Sequence, residues 1–170
     1  MTCPWKWIYK KNVKKRLLVA FTPIIITCTI LSALYIAGIR VNITPSLPRG
    51  VWRVMSVDPK TLKIGDTVAI NKTAVSAVTL HLLKDIAAVS GDVMTLKDSS
   101  VYRNGHKIPM STVFPVNSKG EKIQCVSYPL VVPAHHVWLG SRNERAYDSR
   151  YFGPVPIQAV MGKATLLWAW

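Results

Sequence analysis

Three stretches of this chain hold residue types that could do covalent chemistry. The first is Asn42-Ile-Thr-Pro-Ser-Leu-Pro-Arg-Gly-Val-Trp52, in which Pro45 and Pro48 bracket Ser46 and Gly50 follows. Proline fixes its own φ and restricts the residue before it, so this backbone is neither helix interior nor central strand. The Ser46 hydroxyl therefore sits on a stiff turn, where a nucleophile can be held ready. A serine beside proline in a linker is ordinarily only a linker, so the surroundings must make the case.

The second candidate is Lys84, which interrupts the apolar run from Leu80 to Val89. If that run is a strand, the amine is drawn into a low dielectric, where desolvation disfavours the ammonium. An unshifted lysine of pKa about 10.4 is neutral in about one molecule in 2,500 at pH 7, whereas a depression of about 3–5 units makes the proton-accepting amine abundant. The plain alternative is a solvated lysine beside Asp85. The third candidate is Gly140-Ser-Arg-Asn-Glu-Arg-Ala-Tyr-Asp-Ser-Arg-Tyr-Phe-Gly-Pro154, a polar stretch in an apolar carboxy-terminal half. Asp148 and Arg150 there could form a bidentate pair that fixes a loop, although a charged surface loop has the same composition. His81, His106, His135 and His136 could partner a serine, but there is no Gly-x-Ser-x-Gly elbow and none has a recognisable catalytic setting. His81 reads as a strand residue and His135-His136 as a loop pair. Asn42-Ile-Thr44 and Asn71-Lys-Thr73 match glycosylation acceptors, a pattern too short to decide anything.

The elements that must carry these groups are short. Val51 to Val57, Thr67 to Ile70, Leu80 to Val89, Val93 to Leu96, Ser100 to Tyr102, Lys107-Ile108, Leu130 to Val132, Val137 to Leu139 and Ala159 to Trp168 are β-prone pieces separated by Gly, Asn and Pro. They predict an all-β barrel or sandwich, with long loops at Pro109 to Glu121 and Gly140 to Gly153.

Ahead of them lies one long apolar run. Leu17 to Ile39 is 23 residues without a charge, about 34 Å as a helix, which crosses a hydrocarbon core of about 30 Å with modest tilt. It exceeds the h-region of a cleaved signal peptide, and no small-x-small site precedes Asn42. Pro23 is a candidate kink, which a membrane helix tolerates. Residues 1–16 hold six Lys and Arg among Trp5, Trp7 and Tyr9, which suits a cytosolic headgroup zone and puts the domain from residue 40 to 170 on the far side. The 170-residue chain has 22 Lys+Arg against 8 Asp+Glu. Beyond residue 40 the cations are scattered singly, without a nucleic-acid-binding stripe, so attraction to anionic lipid accounts for the charge. Of three cysteines only Cys125 falls in the outer domain, where no disulfide can form. It is expected to be a buried structural thiol; no metal site and no cofactor are predicted.

Taken together, Ser46 in Thr-Pro-Ser-Leu-Pro-Arg-Gly, Lys84 ahead of Ser-Gly-Asp92, and Asp148-Ser-Arg-Tyr-Phe-Gly-Pro154 resemble, in order and setting, the boxes of the type I signal peptidases (S26). The serine turn is closest to the conjugative-transfer (TraF-like) branch, which similarly reads Thr-x-Ser-x-Pro-x-Gly. The resemblance implies a signal-peptidase-like β domain and a Ser–Lys peptidase with Ser46 as nucleophile and Lys84 as general base. It implies further that the Ser46 amide and Thr44 hydroxyl bind the oxyanion, and that Asp148 with Arg150 orders the last box and supports the lysine. Ser46 and Lys84 are 38 residues apart (84 − 46), so strand pairing must bring them together.

The chain also departs from the family pattern. General signal peptidases carry a serine two residues before that aspartate to orient the lysine, and here Ala146 stands there; Gly140-Ser141 replaces the usual Gly-Asp. What orients Lys84 is left open by the sequence.

The function expected is removal of signal or leader peptides from exported precursors at the outer face of a bacterial inner membrane, with a conjugative pilin subunit of a type IV secretion system as the implied substrate. The alternatives are a general signal peptidase with many clients and a non-catalytic assembly factor of a secretion channel. Trp52, Val51 and their apolar neighbours are expected to dip into the bilayer beside Ser46.

Overall fold

Helix α1 spans Trp5–Ile36 and carries the uncharged run, in the computed structural model that describes residues 5–71 and 82–170. Its segment Lys15–Ile36 is long and apolar enough to cross a membrane. The hydroxyls of Thr22 and Thr29 fold back onto the carbonyls of Leu18 and Ile25 at 2.7 and 2.8 Å, so neither is left unpaired on the apolar surface. The helix continues through Pro23, starts earlier than the uncharged run and stops short of Ile39. Lysine and arginine are good helix formers, so the basic tail extends it. Gly38, at φ 78°, turns the chain out.

The chain divides into two units, Met1–Ile39 and Arg40–Trp170. The second is mainly β. Its strands are β1 (Ile39–Asn42), β2 (Gly50–Met55), β3 (Thr67–Ile70), β4 (Leu82–Val89), β5 (Val93–Lys97), β6 (Ser100–Arg103), β7 (His106–Thr112), β8 (Leu130–Val131), β9 (His136–Gly140), β10 (Val155–Pro156) and β11 (Val160–Ala169). Among the described residues they form a seven-stranded sheet in the order β1-β2-β11-β3-β4-β9-β10 and a four-stranded sheet in the order β7-β6-β5-β8. A short helix α2 (Ser149–Phe152) lies in the second predicted loop. β7 runs on to Thr112, so the first predicted loop begins later than Pro109.

The alternation of β4 directs Lys84, Ile86 and Ala88 inward. Where β4 pairs with β9 the register slips between Ile86 and Ala88. Those two side chains enter different clusters, one around Val68, Ile70, Val137 and Leu139, the other around Met94, Val101 and Trp138. A third cluster joins Leu47, Trp52 and Ala164, with Val54 and Leu83 packed against it.

Two expectations are corrected here. Cys125 is exposed and free, because it lies in irregular chain between β7 and β8 and not on an inward strand position. His136 is the first residue of β9, while His135, at φ 58°, is in the turn before it. The predictions for Leu80, His81, Cys3 and Lys72-Thr73 fall outside the described residues.

Candidate active site

The serine turn is organised by Asn42, the last residue of β1. Its amide nitrogen donates to the carbonyls of Thr44, Leu47 and Pro48 at 3.1, 3.2 and 3.1 Å. Its Oδ1 accepts from the Thr44 N–H at 3.2 Å and the Thr44 hydroxyl at 2.7 Å. One side chain thus satisfies a turn in which Pro45 and Pro48 offer no N–H. Ser46 is half-buried, and its Oγ lies 3.2 Å from Thr44 Oγ1. Gly50 closes the motif for a steric reason: a Cβ there would stand 2.0 Å from the Trp168 carbonyl of β11.

Lys84 is 2% exposed. Its Nζ donates to Ser141 Oγ at 2.8 Å. Burial pulls the ammonium down from 10.5 to about 8; the Asp148 carboxylate opposes that, the Arg150 guanidinium reinforces it, and Asp85 opposes it. At pH 7 about one molecule in ten then carries a neutral amine, some 200-fold more than for a free lysine. Ser141 stands beside Lys84 because β4 and β9 pair Asp85 with Gly140, and one further step of that antiparallel register faces residue 84 with 141.

Asp148 and Arg150 form a buried bidentate pair, with Nε to Oδ1 at 2.7 Å and Nη2 to Oδ2 at 2.8 Å. Asp148 also caps α2 through the Arg150 N–H. The guanidinium gives its remaining protons to the carbonyls of Thr112, Glu144 and Ala146, which fixes the loop that precedes it. Burial disfavours its charge, yet Asp148 outweighs that and holds the Arg150 pKa above its usual value. Ser149, fully buried, accepts from the Leu139 N–H at 2.9 Å and pins the box to β9.

Two independent ties draw Ser46 toward Lys84. The Arg142 N–H donates to the Ser46 carbonyl at 2.9 Å, and Asn143 Nδ2 donates to the Pro45 carbonyl at 3.2 Å. These residues directly follow Ser141, the partner of Lys84. In addition Leu47 and Leu83, the chain neighbours of Ser46 and Lys84, meet in the same apolar cluster. Asn42, Ser141 and Arg142 were not predicted as site residues. Asn42 carried one legible signal, an Asx side chain two residues before Thr-Pro; Ser141 and Arg142 depend on a pairing across 57 residues.

Trp52 departs from its expected place at a bilayer. It is 2% exposed, packs with Leu47 and Ala164, and donates Nε1–H to the Pro48 carbonyl at 3.1 Å. The alternation of β2 turns Gly50 and Trp52 inward together. Exposed aromatic surface lies instead at Trp168 and Trp170, 63% and 57% exposed, where β11 runs beside the start of β2. A largely apolar cavity of about 540 Å³ opens beside Ser141, lined also by Asp85, Ala87, Ile108 and Met110; neither Ser46 nor Lys84 lines it. Among the described residues no three His, Cys, Asp or Glu side chains converge as metal ligands would.

The family model described as signal peptidase, peptidase S26, matches residues 14–170. The chain is similar to the probable conjugal transfer protein TraF of Sinorhizobium fredii (strain NBRC 101917 / NGR234), with 32% identity over 79% of each chain. It is 34% identical to the conjugal transfer protein TraF of Agrobacterium tumefaciens (strain 15955), over 75% of this chain and 80% of that one. Among solved structures, a signal peptidase I from Enterococcus faecalis V583 aligns with a TM-score of 0.43 and 22% identity, covering 62% of this chain and 97% of that chain.

Proposed function

Because the chain belongs to the signal peptidase family S26, in its TraF-like branch, we propose that it is a membrane-anchored serine endopeptidase in which Ser46 is the nucleophile and Lys84 the general base. The observation that carries this reading is the state of Lys84. Its amine is dry, its pKa is lowered to about 8, and its hydrogen-bond partner Ser141 adjoins the residue that grips the Ser46 carbonyl.

In the reaction the neutral Lys84 amine takes the Ser46 hydroxyl proton while Oγ bonds to the scissile carbonyl carbon, and the carbonyl oxygen becomes an oxyanion. The Ser46 N–H and the Thr44 hydroxyl are the donors proposed for it, each typically worth about 2.7–4 kcal/mol of barrier. The Thr44 proton now rests on Asn42 Oδ1, so it must swing toward substrate. Collapse of the intermediate breaks the C–N bond, and Lys84 returns its proton to the leaving amine. Water, deprotonated by Lys84, then hydrolyses the acyl-enzyme. Asp148 and Arg150 hold the surrounding box in place and take no covalent part.

The substrate class is an exported precursor protein bound in extended form, and the TraF relatives favour one that serves conjugation, a pilin subunit first. The α1 segment anchors the protein, with the amino terminus in the cytoplasm and the β domain on the periplasmic side of the inner membrane. Trp168 and Trp170, not Trp52, supply the aromatic surface for lipid beside the serine turn.

The test is mass spectrometry of a candidate pilin precursor co-expressed with the full chain and with folded Ser46→Ala and Lys84→Ala variants. Cleavage by the native chain that vanishes in both variants is expected. Turnover near normal in either variant overturns the dyad, and cleavage of many unrelated precursors would make the protein a general signal peptidase.

A further inference from the structure

A side chain as long as lysine loses a base's usefulness if its head group is free to turn. A neutral primary amine has two N–H donors and one lone pair, and only the lone pair can receive the Ser46 proton. Four rotatable bonds and the spin about Cε–Nζ have to be fixed for that lone pair to face Ser46. Burial restrains the stem but does not choose the direction of the head.

The one hydrogen-bond partner of the Lys84 amine among the described residues is Ser141 Oγ, which accepts at 2.8 Å in a buried setting. Ser141 is itself held from both sides. Before it, Gly140 brings β9 so close to β4 that a Cβ there would stand 3.2 Å from the Ala87 methyl. After it, the Arg142 guanidinium reaches across to Asp85, with Nε to Oδ2 at 2.7 Å and Nη2 to Oδ1 at 3.3 Å, while the Arg142 N–H binds the Ser46 carbonyl at 2.9 Å. Asn143 completes the grip through the Pro45 carbonyl at 3.2 Å. Three consecutive residues therefore hold the base by its head, the strand carrying it by its flank, and the nucleophile's turn by two carbonyls.

We infer that Ser141–Arg142–Asn143 is a clasp that sets the base against the nucleophile, with Ser141 as the positioning residue that accepts one N–H of Lys84 and leaves its lone pair for the Ser46 hydroxyl. The inference rests on the Ser–Lys reading above. Ser141 acts through Lys84 and touches no reacting atom. Its hydroxyl also stabilises the ammonium that Lys84 becomes after taking the proton, so removing it disfavours the charged form as well as loosening the geometry.

The test uses the full chain in detergent micelles and two readouts that need no natural substrate. One is acylation of Ser46 by p-nitrophenyl acetate, read as nitrophenolate release, with Ser46→Ala as blank and Lys84→Met as the baseless control. The other is the pKa of Lys84 from ¹³C NMR of ¹³Cε-labelled lysine, its signal being the one absent from Lys84→Met. Ser141→Ala is expected to slow acylation by about 10–100-fold, the range for a misplaced catalytic group, and to move the Lys84 pKa downward. Ser141→Thr keeps the hydroxyl, and the cavity beside residue 141 has room for the added methyl; it should restore both values. Unchanged acylation and pKa in a folded Ser141→Ala, with both controls dead, overturn the clasp and leave the dyad standing. Slower acylation with an unmoved pKa also overturns it, since that is what mere loosening of the fold would do. Controls that still acylate overturn the dyad, and the role of Ser141 with it.

Discussion

Lys84→Met separates the cost of keeping an amine dry from everything else the side chain does. The native pKa of about 8 lies 2.5 units below the unfolded 10.5, and at about 1.36 kcal/mol per unit that is a penalty of about 3 kcal/mol. The sign follows from proton counting. Below pH 8 the lysine is charged in both states and the folded state bears the whole penalty. Between pH 8 and 10.5 the unfolded chain holds a proton that the folded chain has shed, so native stability rises with pH, and above 10.5 the penalty is gone. Methionine keeps the stem without the charge and loses the bond to Ser141, about 1 kcal/mol at any pH. The variant should therefore be more stable than the native chain by about 2 kcal/mol at pH 7 and slightly less stable near pH 11. Urea denaturation of both full-length proteins in micelles, followed by tryptophan fluorescence at unit pH steps, measures the gap, and every other lysine cancels between them. A gap that stays constant from pH 7 to 11 would refute the claim that residue 84 titrates near 8, and the general-base assignment would lose its physical basis.

Three other outcomes are expected. The acylation rate of the native chain should rise tenfold per pH unit below 8 and level off above it, because only the neutral amine accepts the Ser46 proton; a rate flat from pH 6 to 9 argues against that base. Asn42→Ala should loosen the serine turn, with at least a tenfold loss of acylation and about 1–3 kcal/mol of stability, since it takes the Asn42 donor from the buried Leu47 carbonyl and the Asn42 acceptor from the Thr44 hydroxyl; urea titration and the ester assay measure both. Trp52→Ala should cost about 3–5 kcal/mol as a core deletion, whereas Trp168→Ser with Trp170→Ser should leave stability nearly unchanged and weaken binding of a fragment starting at Gly38, which retains β1, to anionic vesicles in a flotation assay.

Local chemistry made much of this legible. Prolines around Ser46, the uncharged run from Leu17 and the alternating β-prone pieces each act over a few residues, so their consequences appear in composition and spacing. What could not be read is set by distant pairing. Trp52 looked like a membrane aromatic because much of its cover comes from far along the chain: besides nearby Leu47 it packs with Ala164 of β11, more than 100 residues away, and Leu83 of β4. Cys125 looked buried because cysteine usually is, and only the course of the chain between β7 and β8 exposes it. Ser141 was visible as a departure from the family's Gly-Asp, but its meaning waits on the register that faces Gly140 with Asp85.

The same pairing explains how an amine can be held at a pKa of about 8 among so many charges. Two carboxylates act on Lys84, and either one left alone would favour the ammonium and push the pKa back toward 10.5. Neither is alone. Asp148 is bound at both oxygens by Arg150, and Asp85 at both oxygens by Arg142. The Arg150 guanidinium opposes the field of its carboxylate at the amine, and the buried bidentate pair does so with little screening by water. With the charges paired off, desolvation is the largest influence that remains. A polar, charged box can thus enclose a dry amine, provided its buried arginine is geometrically committed, and that is the physical sense of the Asp148–Arg150 pair.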